Sequence, residues 1–592
     1  MRFLFVVLLA NLSTLFAYNA PGCPSWPTLD EWEEEIATKL SDDAALHGPF
    51  PEASSLRYFK DECETLGTNA YAISKAGDGI CMQAFACSHE FCRPNKYSED
   101  LPYFILEAKT PSDIQEGLKF AKEHDIQVTV KTTGHSYHGA STAKNSLLIW
   151  MQNYPKDGTI TDNYETCDGT VHHAAISING GETWDDVIEA VGPNYHVVTG
   201  GGRTVSAAGG WLQGSGLSFS SRQYGLGVDQ ALQFQVVLAD GSIVTANACE
   251  NEDLFWALRG GGGGTWGVVT NVMYKLHPLV PITQTYWFIE GWENSPSVKT
   301  SSRVLEKWLK FWIAESPTLD RRFGGYWNGA GVHLVFAGTR EEANAAFLDK
   351  FDAWYFNDLI PVAEFSWNWG AYKPTDVTSE VPSWYEYKGG KAAYNNPDMT
   401  DPTGDAYAGV ENLSTRLVPV ETLQNDPDGI YELVYDLAWN VDLGSVNYIL
   451  GGVVGDISDD ATSVSPALRK AGWNLFTSNA KATEKVNKVL PNSITGACFN
   501  HHSPVEPEWK ESLWGNQYNK LLELKEIYDP HKVFQCWHCV GYEGEEPGVP
   551  YKPTCPDGSP VPNSGKESMV PLFSHFHVVS FIVFTLLYIV VM

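Results

Sequence analysis

One stretch limits what this chain can fold into more than any other: Val128-Thr129-Val130-Lys131-Thr132-Thr133-Gly134-His135-Ser136, with two further glycine-rich stretches downstream at 200–216 and 260–264. Residues 126–131 alternate apolar and polar side chains, which reads as a strand. The strand breaks at Gly134, where a positive φ is available and backbone N–H groups can close on an anion. A single glycine cluster is an ordinary tight turn. Three clusters in one chain with a histidine among them point to backbone brought up against a flat, charged ligand.

Around this stretch the chain alternates strand and helix signals. Residues 103–107 are apolar, and Thr110-Pro111 supplies an N-cap with proline at the first helical position, predicting a helix to about residue 124. Thr183 caps a second short helix over 184–191. Residues 232–245 read as a hairpin turning at Ala239-Asp240-Gly241-Ser242, and 251–258 as a short helix ending in the five-glycine run. Beyond Pro278 the texture changes to a stretch rich in Trp and Tyr. Residues 430–440 alternate, with Tyr431, Leu433, Tyr435, Leu437 and Trp439 on one face and Glu432, Val434 and Asp436 on the other, predicting a half-buried antiparallel strand. The fold class expected is α+β.

At 592 residues the chain exceeds one ordinary core. Its formal net charge of -32 argues against nucleic acid or an anionic membrane surface as partner. The start, one arginine followed by an apolar run and then Ala17 and Ala20, reads as a signal peptide over 1–17. Eleven cysteines then sit in an oxidising compartment, with Cys23, Cys63, Cys81, Cys87 and Cys92 in a disulfide-rich extension over 18–96. Cys536-Trp537-His538-Cys539 reads either as half a zinc site or as a local disulfide. No second cysteine pair follows at suitable spacing, so the disulfide is preferred and no metal site is expected. Asn412-Leu413-Ser414 is a glycosylation sequon. Residues 546–592 form a Pro- and Gly-rich linker and an apolar tail without a basic flank; Asn563-Ser564-Gly565 before it favours a GPI-attachment signal over a tail anchor.

Lys131-Thr132-Thr133-Gly134-His135-Ser136 resembles the R-x-G-G-H-S loop of the vanillyl-alcohol-oxidase/berberine-bridge-enzyme superfamily. The resemblance continues through Gly209-Gly210-Trp211-Leu212-Gln213-Gly214-Ser215-Gly216, 229–240 and 251–264, and resumes from Trp514-Gly515 to Asp529-Pro530. Ser414 to Pro419 and Phe534 to Gly541 resemble segments of secreted fungal-type members. It implies a two-part, PCMH-type FAD-binding domain, 97–280 and 504–545, with a substrate domain of antiparallel sheet inserted at 281–503. It also implies FAD held by Lys131, Thr132, Thr133, Gly134, Ser136, Gly202, Thr204, Gly209, Gly210, Gly214, Gly216 and Val268, and bonded through His135. Many members carry a second flavin bond from a cysteine; Gly202 falls at that position, so the resemblance implies one tether.

The activity implied is oxidation of an alcohol or carbohydrate hydroxyl, with hydride passing to the flavin and oxygen the acceptor, giving hydrogen peroxide. Ala207 and Ala208 near the expected oxygen path leave a non-oxygen acceptor open. A surface-binding protein without turnover is the reading from another class. For the base, the segment the family often writes Y-x-N-[YE]-x-D is Cys498-Phe499-Asn500-His501-His502-Ser503 here. His501 follows Asn500 where the family carries Tyr or Glu, and an ordinary imidazole pKa of about 6.5 suits a base without retuning. Glu432 and Asp436 compete for the role. The many Trp residues either line a sugar cleft or fill the core.

Overall fold

The computed structural model describes residues 20–49, 102–288, 298–359, 378–389, 414–437, 445–490, 496–542 and 555–559, with short gaps inside these spans. The signal peptide, Cys63, Cys81, Cys87, Cys92, Asn412 and the apolar tail lie outside them. Three sheets carry the architecture.

The first contains β1 (Ala45–His47), β2 (Phe104–Glu107), β3 (Val128–Lys131) and β4 (Leu147–Trp150), in the order β1-β2-β4-β3. β4 runs parallel to both β2 and β3. The helix Pro111–Glu123 connects β2 to β3, and Thr110 and Asp113 form a reciprocal capping box at its start. Trp32, from the N-terminal helix Leu29–Glu35, packs into the same core as Phe104 and Phe120. The 18–96 stretch therefore contributes a helix and an edge strand to this layer. The chain returns to the layer near its end: Val128 N–H donates to Val533 O at 2.8 Å, beside a parallel bridge between Val128 and Phe534.

The second sheet holds β5 (Ile160–Asp162), β6 (Ala174–Asn179), β7 (Tyr195–His196), β8 (Ala231–Val237), β9 (Ile243–Asn247) and β10 (Val268–Pro278). The helix Trp184–Val191 begins on the Thr183 cap, and β8 and β9 form the hairpin expected around Gly241.

The third is seven-stranded: β11 (Ile282–Phe288), β12 (Phe323–Trp327), β13 (Gly331–Ala337), β14 (Ser379–Val381), β15 (Ser414–Pro419), β16 (Ser445–Ile449) and β17 (Ala471–Thr477), ordered β14-β11-β13-β12-β16-β17-β15. All its pairings are antiparallel. One face carries Trp327, Val332, Leu334, Phe336, Trp473 and Leu475 into a core shared with the helices Val298–Glu315 and Pro427–Asp436. Trp308, Trp312, Trp327 and Trp473 are wholly buried there, so these tryptophans fill a core and line no cleft. The opposite face, with Val335, Ala337 and Leu417, joins the core of the second sheet.

Residues 430–437 correct the sequence reading. They form the helix Pro427–Asp436 with Leu437 as its C-cap, not a strand, and residues 438–440 lie outside the described residues. Asp426 accepts Gly429 N–H and Pro427 occupies the first turn, a start signal that outweighs alternation. Ile430, Leu433, Val434 and Leu437 are buried, a spacing of three and four that the large residues at 431, 433, 435 and 437 conceal. Tyr431 and Tyr435 pair on the helix surface at 5.5 Å, with Lys310 over the Tyr431 ring.

Candidate active site

The loop after β3 is held by its neighbours. Thr132 O accepts Trp150 Nε1–H at 3.1 Å, and its hydroxyl donates to Gly180 O at 3.2 Å. Lys131 is buried with its ammonium 5.9 Å from the centre of the Trp150 ring. Gly134 has φ +80°, the left-handed conformation that this turn requires. Ser136 Oγ accepts Ala140 N–H at 3.0 Å, and Thr133 is buried. His135 Nε2 lies 3.1 Å from Thr204 Oγ1, which ties this loop to the second glycine stretch.

Close packing explains the glycines. A Cβ on Gly209 would meet Ser206 Oγ at 2.7 Å, one on Gly214 the Asn500 amide at 2.6 Å, and one on Gly216 the Gly227 Cα at 2.4 Å. One on Gly263 would meet Gly210 Cα at 2.8 Å, so the second and third stretches touch. At Gly210, by contrast, a Cβ would find open space. Ser206 Oγ, the atom a Cβ on Gly209 would meet, is buried and has no hydrogen-bond partner among the described residues. A hydroxyl donor without a partner, set among close-packed glycines, suits an anionic group laid against the backbone. Gly202 is buried here, its carbonyl accepting Val205 N–H. Val268 is also among the residues expected to bind the cofactor. It pairs with Val237 at the start of β10, and its side chain is wholly buried in the core under the first sheet.

The 498–502 segment closes the site from the other side. Asn500 accepts from Ser215 Oγ at 2.8 Å and donates to Gly210 O at 2.8 Å, bridging the glycine stretch at two points. Cys498 lies 3.7 Å from Ser215 Oγ and 3.4 Å from His501 Nδ1, and burial pushes its thiol pKa up to about 11. The His501 ring also packs on Phe476, from the inner face of β17. His502 Nε2 sits 3.1 Å from His538 Nδ1, which links this segment to the Cys536–Cys539 disulfide loop. The glycine stretches, the 498–502 segment and the inner face of the third sheet therefore meet at His501.

The ordinary imidazole pKa expected of His501 does not survive folding. Burial, with a smaller contribution from His502, holds it down to about 3. The shift favours the neutral ring between about pH 6 and 7. Turnover is expected to be flat between about pH 6 and 7, where a base of ordinary pKa would make it rise; a pH–rate profile of kcat checks this.

Glu432 and Asp436 lie elsewhere. Glu432 is exposed, and Asp436 pairs with Lys485 on the helix that covers the outer face of the third sheet. Neither shares a face with His501. Glu432→Gln and Asp436→Asn are each expected to leave kcat within about twofold of wild type and to cost less than about 1 kcal/mol. A large loss of kcat in either would restore the carboxylate as base.

The sequence offered no sign of the inner face of the third sheet. His333, Tyr286 and Tyr326 cluster on it, with the His333 and Tyr286 rings stacked at 3.8 Å and Phe219 edge-on. Asn474 is wholly buried on β17, its side-chain amide without a partner among the described residues. These residues come from separate strands, so no local spacing marks them.

Residues 102–247 match the family model described as an FAD binding domain, and residues 497–540 the one described as berberine and berberine like. The chain is 30% identical over 498 residues to the FAD-linked oxidoreductase hmp9 of Hypomyces subiculosus, covering 75% of this chain and 73% of that protein. Its fold superposes on the VAO-type flavoprotein MtVAO615 from Myceliophthora thermophila C1 with a TM-score of 0.70 at 22% identity, covering 89% of this chain and 97% of that one. It also superposes on the glucooligosaccharide oxidase of Acremonium strictum, described as carrying a 6-S-cysteinyl, 8α-N1-histidyl FAD, with a TM-score of 0.54 at 21% identity, covering 74% and 92%. With the histidine loop, the close-packed glycines and the returning C-terminal segment all in place, the chain belongs to the FAD-linked oxidoreductases of the vanillyl-alcohol-oxidase and berberine-bridge-enzyme family.

Proposed function

We propose that the chain oxidises a hydroxyl of an alcohol or carbohydrate, with FAD bonded once, through His135, and oxygen as the final acceptor. The observation that carries this reading is the meeting at His501 of the glycine stretch, through Asn500 and Ser215, with Phe476 of the third sheet. Bound FAD supplies the hydride acceptor and passes the electrons to oxygen.

The chain's own residues place the reactants. The 132–136 loop and the space beside Gly210 hold the cofactor, with Ser206 Oγ as a donor toward its anionic part. Asn500 fixes the 498–502 segment against the glycine stretch. His501, held neutral, can accept a hydrogen bond from the substrate hydroxyl and orient it. Gly202 offers no sulfur for a second flavin bond. The glucooligosaccharide oxidase likeness supports a carbohydrate as one substrate class.

The test is peroxide release on a panel of primary alcohols and oligosaccharides. Peroxide formed in step with substrate oxidation is the expected result. Substrate that bleaches the flavin anaerobically without yielding peroxide in air would assign another acceptor, and no bleaching by any of the panel would favour a binding protein.

We also propose a secreted, cell-surface protein held by a GPI anchor. The Cys23–Cys555 and Cys167–Cys249 disulfides support an oxidising compartment. Among the described residues no helix is long and apolar enough to cross a membrane, and the 572–592 tail lies outside them. A phosphatidylinositol-specific phospholipase should release the protein from intact cells. Retention on the membrane while a control GPI protein is released would assign the tail as a membrane segment.

A further inference from the structure

We propose that His538 is a positioning residue for the active site: held in the Cys536–Cys539 loop, its ring fixes the turn Phe499–His501 through a hydrogen bond to His502. The inference rests on the reading above, in which Asn500 and His501 place the substrate, and adds the group that holds those two residues in place.

His538 is set apart first by its backbone. Its φ is +55°, the left-handed conformation that a residue with a Cβ adopts only at a cost. The chain is closed around it: Cys536 and Cys539 are joined by a disulfide, and Cys539 N–H donates to Cys536 O at 3.0 Å. A residue kept in an uncommon conformation by its surroundings points to a task for its side chain. The His538 ring is 3% exposed and lies almost parallel to the Trp509 ring, with centres 4.9 Å and planes 11° apart. Its Nδ1 is 3.1 Å from His502 Nε2. Backbone, stack and hydrogen bond together leave this ring one orientation.

His502 carries that orientation to the active-site turn. Its Nδ1 lies 2.7 Å from Phe499 O, and a carbonyl oxygen only accepts, so this nitrogen bears the proton. Burial holds both imidazoles well below their usual pKa range, which favours the neutral rings near pH 7. Neutral His502 therefore accepts at Nε2, and His538 Nδ1–H donates to it. Phe499 is thus clamped from two sides. His502 holds its carbonyl, and its ring lies so close over Gly262 that a Cβ there would sit 2.6 Å from it. Asn500 and His501 follow directly in the same turn, so its orientation decides where the Asn500 amide and the His501 ring come to rest. Without the His538 donor the turn can shift, and a misplacement on the order of 1 Å costs roughly 100-fold in rate.

The experiment uses the full FAD-loaded chain as wild type, His538→Phe and His538→Asn. Phenylalanine keeps the stack on Trp509 and removes the donor. Asparagine places an amide N–H where Nδ1–H stood and tolerates the left-handed backbone. The first readout is alkylation by iodoacetamide of Cys498, the buried thiol at the start of the turn, followed by peptide mapping. The second is anaerobic bleaching of the flavin by the alcohol or oligosaccharide of the panel that reduces the wild type, with reoxidation in air timed separately. His538→Phe should alkylate Cys498 roughly 10-fold faster and bleach roughly 10- to 100-fold more slowly, with reoxidation within about twofold of wild type. Asparagine should return both rates toward wild type. Wild-type rates in the phenylalanine variant, an asparagine variant as impaired as phenylalanine, or reoxidation slowed as much as bleaching each overturns the proposal. Where phenylalanine prevents folding, His538→Ala replaces it in the same comparison. If no member of the panel bleaches the wild-type flavin, the oxidase reading fails by itself, and the alkylation rates still decide whether His538 holds the turn.

Discussion

Replacing Lys525 by methionine is expected to cost about 3–5 kcal/mol, the penalty for removing one partner of a buried ion pair. Lys525 lies on the helix Tyr518–Tyr528 and is 1% exposed. Its ammonium donates to Asp529 Oδ2 at 2.7 Å, Thr265 O at 2.7 Å and Phe534 O at 2.8 Å, so all three of its protons are used. Methionine fills similar volume but leaves a buried carboxylate and two carbonyls without their donor. The position matters because these acceptors belong to different parts of the chain. Thr265 follows the third glycine stretch, and Phe534 bridges to β3 just before the histidine loop. Replacing Asp529 as well, by leucine, is not expected to recover the loss. Its carboxylate also accepts Val533 N–H at 2.8 Å and Phe534 N–H at 2.9 Å, and the double variant would leave both amides buried and unpaired. Urea unfolding of the two variants beside wild type checks both statements; a double variant as stable as wild type would show that the backbone amides contribute little.

His135→Ala carries the second large effect. Without an imidazole in the loop, no flavin should remain on the polypeptide after acid precipitation. The protein itself should fold, because His135 is half-buried on a loop whose main anchors are Thr132, Trp150 and Ser136. Turnover is expected to fall about 10- to 100-fold with FAD added in excess, since a cofactor held only by non-covalent contacts is less closely placed against the substrate. Full turnover with added FAD would show that the bond serves retention alone. Flavin still attached in His135→Ala would show a second linkage and a misplaced alignment at Gly202.

Most of the flavin layer was legible in the sequence because local rules governed it. Thr110-Pro111 and Thr183 start helices through hydrogen bonds made within four residues, and the 239–242 turn needs only its own glycine. The glycine stretches were readable for a related reason. A left-handed turn or a backbone contact admits almost no other residue, so the requirement is written at a single position. With the histidine loop and the family resemblance, this determined the cofactor and the class of reaction.

The substrate side was decided by tertiary structure. Residues 430–437 alternate as a strand should, yet the apolar set that counts is Ile430, Leu433, Val434 and Leu437, chosen by the helix Val298–Glu315 and the sheet beneath. Once that segment is a helix, Glu432 and Asp436 face outward and leave the chemistry. The low pKa of His501 was hidden from the sequence for a different physical reason. An imidazole pKa depends on the solvent that surrounding residues remove, and Phe476 and Cys498 reach His501 only after distant segments have packed. Likewise, His333, Tyr286 and Asn474 come together through strand pairing across the third sheet, which no local spacing encodes. Sequence alone therefore determined the glycine and histidine stretches expected to hold the cofactor; tertiary packing determined which side chains face those stretches.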